Sequence, residues 1–357
     1  MRFVPTSCLR EGMQLAKPLY RGNNELMLAC GVSLSRRYID SIRRLRYPGI
    51  YIDDDISKDI EIVNSISDEL RRETMTGLSK IYITAQQGGK ANNRLDINRQ
   101  VEDIVDELLC NQSMMLNMID LRSFDSYTYS HSVNVAVLSI IIGIVFNHKK
   151  DDLIKLGLGA LLHDIGKVFI SKDILNKEGP LTENEFDIIK THPQKGYDYV
   201  VDRYNMPILS RVTIADHHEK YDGSGYPKGK KKSEISLFGR ITSVSDVYDA
   251  LTSERPYRKA LSPSEAVEYI MGGSGTLFDP DVVRVFTKKV APYPVGSSVK
   301  LSNGWVGLVI ENYESFCLRP LIRIFQEDGK QVTPFEISLK DDMEYLNVTI
   351  EGLADGI

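Results

Sequence analysis

Residues 158–167 read LGALLHDIGK, and the reading of this stretch decides the fold. Leu158, Leu161, Leu162 and Ile165 give it an apolar, helical texture, yet His163 and Asp164 place an imidazole beside a carboxylate inside it. An ionised aspartate buried there is costly unless something pairs with it, and a metal ion held by both side chains supplies that pairing. Lys167 follows His163 by four residues. On one continuous helix the two side chains project from one face, so the ammonium is placed to stabilise an anion held at the metal. The first expectation is therefore a helical domain built around a metal centre.

All six histidines fall between residues 119 and 290, and five of them, His131, His163, His192, His217 and His218, are the candidate ligands. A lone histidine is usually a hydrogen-bonded core or surface imidazole; five in one helical segment point to a metal. Cys8, Cys30, Cys110 and Cys317 are scattered and form no CxxC pair, which disfavours a closed structural zinc site, suggests no disulfide framework and suits a reducing cytoplasm. Imidazoles with carboxylates suit iron, manganese, nickel or zinc. Asp164 can give one oxygen to each of two ions, and two ions about 3.5–4 Å apart can clamp a phosphate for in-line hydrolysis. Two further stretches extend the constellation. In HHEKYDGSGYP, 217–227, two candidate ligands run into a loop whose Gly223 and Gly225 permit unusual backbone angles. In SDVYDALTSERPYR, 245–258, Asp246 sits in an apolar helical run and Arg255 and Arg258 can bind phosphate oxygens in bidentate fashion.

The rest of the chain frames this centre. Its 357 residues carry a formal net charge of -5, which argues against a nucleic-acid polymer or a membrane surface as partner. The one dense basic cluster, Lys228 and Lys230 to Lys232, reads as a solvated loop. Pro5, Arg10 and Glu11 interrupt the N-terminus, so it does not read as a secretory leader. The longest apolar run, Val135 to Phe146, falls short of the roughly twenty residues that span a bilayer and reads as a core helix. Residues 1–62 read as a small α+β module with a helix from Ser35 to Arg46; 63–118 as a helical linker with a turn near Gly88-Gly89 and Asn92-Asn93; 119–290 as the helical catalytic domain. Residues 291–357 read as a small β module, with turns at Ser302-Asn303-Gly304 and Asp328-Gly329. Ile97, Val101, Ile104, Val105 and Leu108 recur at helical spacing, a stripe for core packing or for a homodimer. Gly272-Gly273-Ser274-Gly275 lacks the Lys-Ser or Lys-Thr of a phosphate loop, and Asp53-Asp54-Asp55 reads as a solvated loop.

From about Asp125 to Phe286 the chain closely resembles the HD-GYP family, a bacterial branch of the HD phosphohydrolases. HDIGK at 163–167, HHEKYDGSGYP and SDVYDALTSERPYR carry the likeness, with YTYSHS around His131, KEGPLTENE at 177–185 and THPQKG around His192 in the same order. The resemblance implies a mainly α protein with an all-helical catalytic domain that cleaves cyclic di-GMP to pGpG, and onward to GMP in some members. By motif, His131, His163, Asp164 and Asp246 resemble the ligands of one metal, and Asp164 bridges to a second held by His192, His217 and His218. Lys167, Tyr226, Arg255 and Arg258 resemble the substrate contacts, and Asp222, Gly223, Gly225 and Pro227 the residues that shape the loop. Tyr127 stands where some members have an acidic residue that recruits a third metal, so two ions are expected, iron or manganese. Ser171 replaces a common proline, a change at a helix end. Signalling proteins are possible partners. Hydrolysis of another cyclic dinucleotide, such as cyclic GMP-AMP, and a silent receptor or adaptor are the alternative readings.

Overall fold

The computed structural model describes residues 1–20, 25–45, 47, 49–89, 94–111, 115, 127–177, 179–204, 206–253, 260–314 and 316–354. Short strands β1 (Arg2–Pro5), β2 (Gln14–Leu15), β3 (Leu19–Tyr20) and β4 (Leu26–Leu28) precede helix α1 (Arg36–Arg44) and strand β5 (Gly49–Asp53). β5 lies between β1 and β2 in an antiparallel sheet, and β3 pairs with β4. The helix expected over 35–46 is α1; the Ser35 side chain caps it by accepting from the Tyr38 N–H, and Ile39 and Ile42 turn inward.

Helices α2 (Asp68–Gln86), α3 (Arg94–Cys110), α4 (Tyr127–Val145) and α5 (Lys150–Leu161) follow. Val133, Val135 to Leu138, Ile140 and Ile142 of α4 have no exposed surface, and α2, α3 and α5 all pack on it. A helix apolar on every side belongs inside a core, which accounts for the apolar run at 135–146. Among the described residues no helix is long and apolar enough to cross a membrane. The α3 stripe from Ile97 to Leu108 is buried in the same core, so it offers no apolar face to a second copy. Residues 63–111 thus share one core with the helices that follow, rather than spanning a gap between domains. The Gly88-Gly89 turn ends α2; the expected turn at Asn92-Asn93 lies outside the described residues.

Beyond α5 the chain makes a 3₁₀ turn (Ile165–Phe169), then α6 (Lys172–Leu175), α7 (Glu183–Ile189), α8 (His192–Tyr204), α9 (Ile208–Asp216), α10 (Leu237–Thr252), α11 (Pro263–Gly272) and α12 (Pro280–Lys289). Thr182–Glu185 and Ser262–Glu265 are reciprocal capping boxes that start α7 and α11 where the chain needs to turn. Strands β6 (Ser298–Leu301), β7 (Val306–Glu311), β8 (Leu321–Glu327), β9 (Lys330–Ser338) and β10 (Ile350–Leu353) form an antiparallel sheet in the order β10-β6-β7-β8-β9. Asp328 and Gly329, both at positive φ, make the tight turn between β8 and β9. The first and last modules pack on each other: Tyr51, Ile60 and Ile62 form one apolar cluster with Leu308 and Phe325. Arg323 clamps the join, reaching Asp59 at 2.5 and 2.8 Å and the Ile56 carbonyl at 3.0 Å.

Candidate metal centre

Five elements deliver the seven ligand candidates to one point. His131 comes from the first turns of α4, His163 and Asp164 from the break after α5, His192 from the start of α8, His217 and His218 from the end of α9, and Asp246 from α10. His163 and Lys167 do not lie on one α-helix, as the spacing suggested; α5 ends at Leu161 and Lys167 sits in the 3₁₀ turn. The cause is Gly166. A Cβ there would meet the His192 carbonyl oxygen at 1.9 Å and the Gly196 nitrogen at 2.7 Å, so only glycine lets the turn lie against α8. Gly166→Ala is expected to cost about 1–3 kcal/mol of stability in urea unfolding, an overpacking penalty, and to weaken metal retention by pushing His192 away from His163.

Within the cluster the two Asp164 oxygens face different partners. Oδ2 lies 2.6 Å from Lys167 Nζ, 3.4 Å from His163 Nε2 and 3.9 Å from His131 Nε2. Oδ1 lies 3.3 Å from His192 Nε2 and 3.9 Å from His217 Nε2. Asp246 Oδ1 is 3.1 Å from His131 Nε2 and 3.9 Å from His163 Nε2, and its Oδ2 is 3.9 Å from His218 Nδ1. Ligand atoms of Asp164, His192, His217 and His218 lie within 4.8 Å of one another, as do those of His131, His163 and Asp164.

The imidazoles are oriented from behind. His163, His192 and His217 direct Nδ1 at the carbonyls of Ala160, Ile189 and Ile214, at 2.7, 2.7 and 2.8 Å, and His131 Nδ1 lies 2.7 Å from Asp249 Oδ2. At His163, His192 and His217 each Nδ1 therefore carries the proton and each Nε2 presents a lone pair to the centre of the cluster. His192 Nε2 and His217 Nε2 then face each other at 3.3 Å as two acceptors with no proton between them. His163 Nε2 and Asp164 Oδ1 are buried without a hydrogen-bond partner. Divalent cations would satisfy these atoms, and the nitrogen and oxygen donor set fits them.

The electrostatics agree with such a role. Burial opposes charge on Asp164, but Lys167 and His163 outweigh it and hold the carboxyl well below its usual range. Burial is also outweighed at Asp246, chiefly by the hydrogen bond from His131. Burial, then the neighbouring imidazoles, keeps His217 well below the usual histidine value; burial pushes His218 down to about 3. His131, although buried, is raised to about 9 by Asp246 and Asp249.

The 217–227 loop is built to rest against the cluster. Buried Glu219 accepts from the backbone N–H groups of Lys228 and Lys230, and Asp222 accepts from the Ser224 N–H. A Cβ on Gly225 would lie 2.2 Å from the Lys220 nitrogen, so the loop closes only with glycine there. Gly223 sits at φ +88°. Tyr226 stacks on His218 with ring centroids 4.8 Å apart, and half-exposed Phe186 of α7 meets Tyr226 at 6.5 Å, forming an aromatic rim beside the histidine-aspartate cluster. In the basic cluster Lys230 is not merely solvated; it pairs at 2.6 Å with buried Asp216. Arg255 and Arg258 lie outside the described residues. Sequence reasoning passed over Asp249, Asn134, Glu219 and Phe186. For the first two the available signal was a polar residue three places after a candidate ligand in an apolar helix.

Comparison with known proteins agrees with this geometry. Residues 113–282 match the HD domain family model. A cyclic di-GMP phosphodiesterase of Pseudomonas aeruginosa is 38% identical over 237 residues, 66% of this chain and 57% of the relative. A 3′3′-cGAMP-specific phosphodiesterase 3 of Vibrio cholerae is 37% identical over 177 residues, 50% of this chain and 38% of the relative. The solved structure of an HDG"Y"P protein from Bdellovibrio bacteriovorus shares the fold, with a TM-score of 0.52 and 18% identity, covering 80% of this chain and 97% of that one. The chain spans about half the length of the curated relatives it matches. HDIGK and HHEKYDGSGYP thus meet at one buried cluster inside the segment, 113–282, that matches the HD domain family.

Proposed function

We propose that this chain is a metal-dependent phosphodiesterase that hydrolyses cyclic di-GMP to pGpG. The observation that carries the reading is the pair of Nε2 lone pairs, from His192 and His217, facing each other at 3.3 Å beside the buried Asp164 carboxylate. His131, His163, Asp164 and Asp246 would hold one divalent ion and His192, His217, His218 and Asp164 a second, iron or manganese in each case. Such a pair acidifies water and neutralises phosphate charge.

The protein's own groups set the geometry of the reaction. Lys167, fixed through Asp164 and only partly exposed, places an ammonium where a non-bridging phosphate oxygen gains charge as water attacks phosphorus and the bond to the 3′ oxygen breaks. Tyr226 stays protonated because burial, with Asp246 and Asp164 nearby, raises its hydroxyl well above the usual value. It offers a ring face and a donor to the bound nucleotide. Arg255 and Arg258 take further phosphate or base contacts in this reading, and Asp222, Gly223, Gly225 and Pro227 hold the loop that carries Tyr226.

The test is chromatography of products from purified protein of measured metal content, given cyclic di-GMP and 3′3′-cGAMP in parallel. Formation of pGpG, faster than cleavage of 3′3′-cGAMP, is the expected result. Faster cleavage of 3′3′-cGAMP would move the substrate to that dinucleotide, in line with the Vibrio cholerae relative. Binding without any product from either would make the chain a receptor.

A further inference from the structure

Behind His131 a chain of buried polar groups runs out of the matched domain. His131 Nδ1 lies 2.7 Å from Asp249 Oδ2; the Asn134 amide donates to Asp249 Oδ1 at 2.8 Å; Arg71 Nη1 donates to Asn134 Oδ1 at 2.7 Å. Arg71, Asn134 and Asp249 are all nearly inaccessible to solvent. Arg71 belongs to α2, which precedes the segment 113–282. The order of charges is self-consistent: guanidinium to amide oxygen, amide nitrogen to carboxylate, carboxylate to imidazole. Turning the Asn134 amide over would set its NH₂ against the guanidinium and its oxygen against Asp249, so Arg71 fixes the amide in the sense that lets it donate to Asp249. Burying a guanidinium is costly, and a site retains one where it orders neighbouring groups.

We propose that Arg71 is a positioning residue for the metal centre, acting through Asn134 and Asp249 to hold His131 with its Nε2 facing the ions. This rests on the metal-centre reading above. Partners of ligating histidines govern affinity because they set ring orientation and basicity. Without Arg71 the Asn134 amide oxygen loses a charged donor, its hold on Asp249 weakens, and the anchor that sets the direction of the His131 ring weakens with it. Arg72, the next residue, faces elsewhere, its guanidinium 5.1 Å from the Tyr20 ring of the N-terminal module, and so provides a control on the same helix.

The experiment measures Mn²⁺ affinity of the full chain by competition with a chromogenic chelator, alongside melting curves of the metal-free proteins. Arg71→Met and Arg71→Gln should bind Mn²⁺ roughly 10–100-fold more weakly. Arg71→Lys should recover part of that loss, Arg72→Met should bind as the parent does, and all should melt alike without metal. Where cyclic di-GMP is cleaved, kcat at limiting Mn²⁺ should fall with KM unchanged. Arg71→Met or Arg71→Gln affinity equal to the parent's, or an equal loss in Arg72→Met, overturns the proposal. If Arg71→Met does not fold, Arg71→Gln decides by the same criteria. A parent protein that binds no Mn²⁺ would instead overturn the metal-centre reading itself.

Discussion

Asp164→Ala should abolish metal loading and turnover together. Its two oxygens face the two halves of the histidine cluster, so one substitution removes a shared anion from both. Five imidazoles without that carboxylate leave Asp246 as the sole acidic ligand candidate among the described residues, too little charge to hold two dications close together. Turnover should fall by more than about 1,000-fold, equivalent to about 4 kcal/mol of barrier. Metal content after desalting should fall in parallel. A second readout is independent of substrate: Mn²⁺ at about 1,000 times its Kd should stabilise the parent by roughly 4 kcal/mol. The same addition should leave the variant's melting curve where it was. Full activity with bound metal in the variant would remove Asp164 from the centre.

Lys167→Met separates binding from chemistry. The ammonium lies beside Asp164 at the exposed edge of the cluster and is no metal ligand, so metal content should survive. The loss should appear in kcat, by roughly 100- to 1,000-fold, as for removal of one preorganised donor to a developing anion. KM should change less. Loss of metal equal to that in Asp164→Ala would make Lys167 a support for the carboxylate alone.

The histidines and aspartates of the centre were legible because ligand chemistry allows few residue types, and those types are conspicuous in apolar helices. Their convergence was not legible from spacing alone; it depends on Gly166 bringing the 3₁₀ turn against α8, a contact with a segment some distance along the chain. That contact also explains a local misreading: α5 stops at Leu161, so His163 and Lys167 do not share the face of one α-helix. Arg71 had no sequence signal: its partner Asn134 lies 63 residues later, and an arginine in an amphipathic helix is ordinarily at the surface. The two terminal modules were each recognisable by their turns and short apolar runs. Their mutual packing was hidden, because strand patterning tells which face is apolar without telling what covers it.

That packing sets an order of events as the polypeptide is made. Arg323 and Asp59 stand 264 residues apart, so the first module leaves the ribosome long before its cover exists. Tyr51, Ile60 and Ile62 remain wetted until β7 and β8 emerge, and the loop that must then close encloses the whole helical core. The side of this contact that is made first is thereby among the last parts to reach its finished form, and a chain halted before β7 would leave it as an adhesive surface.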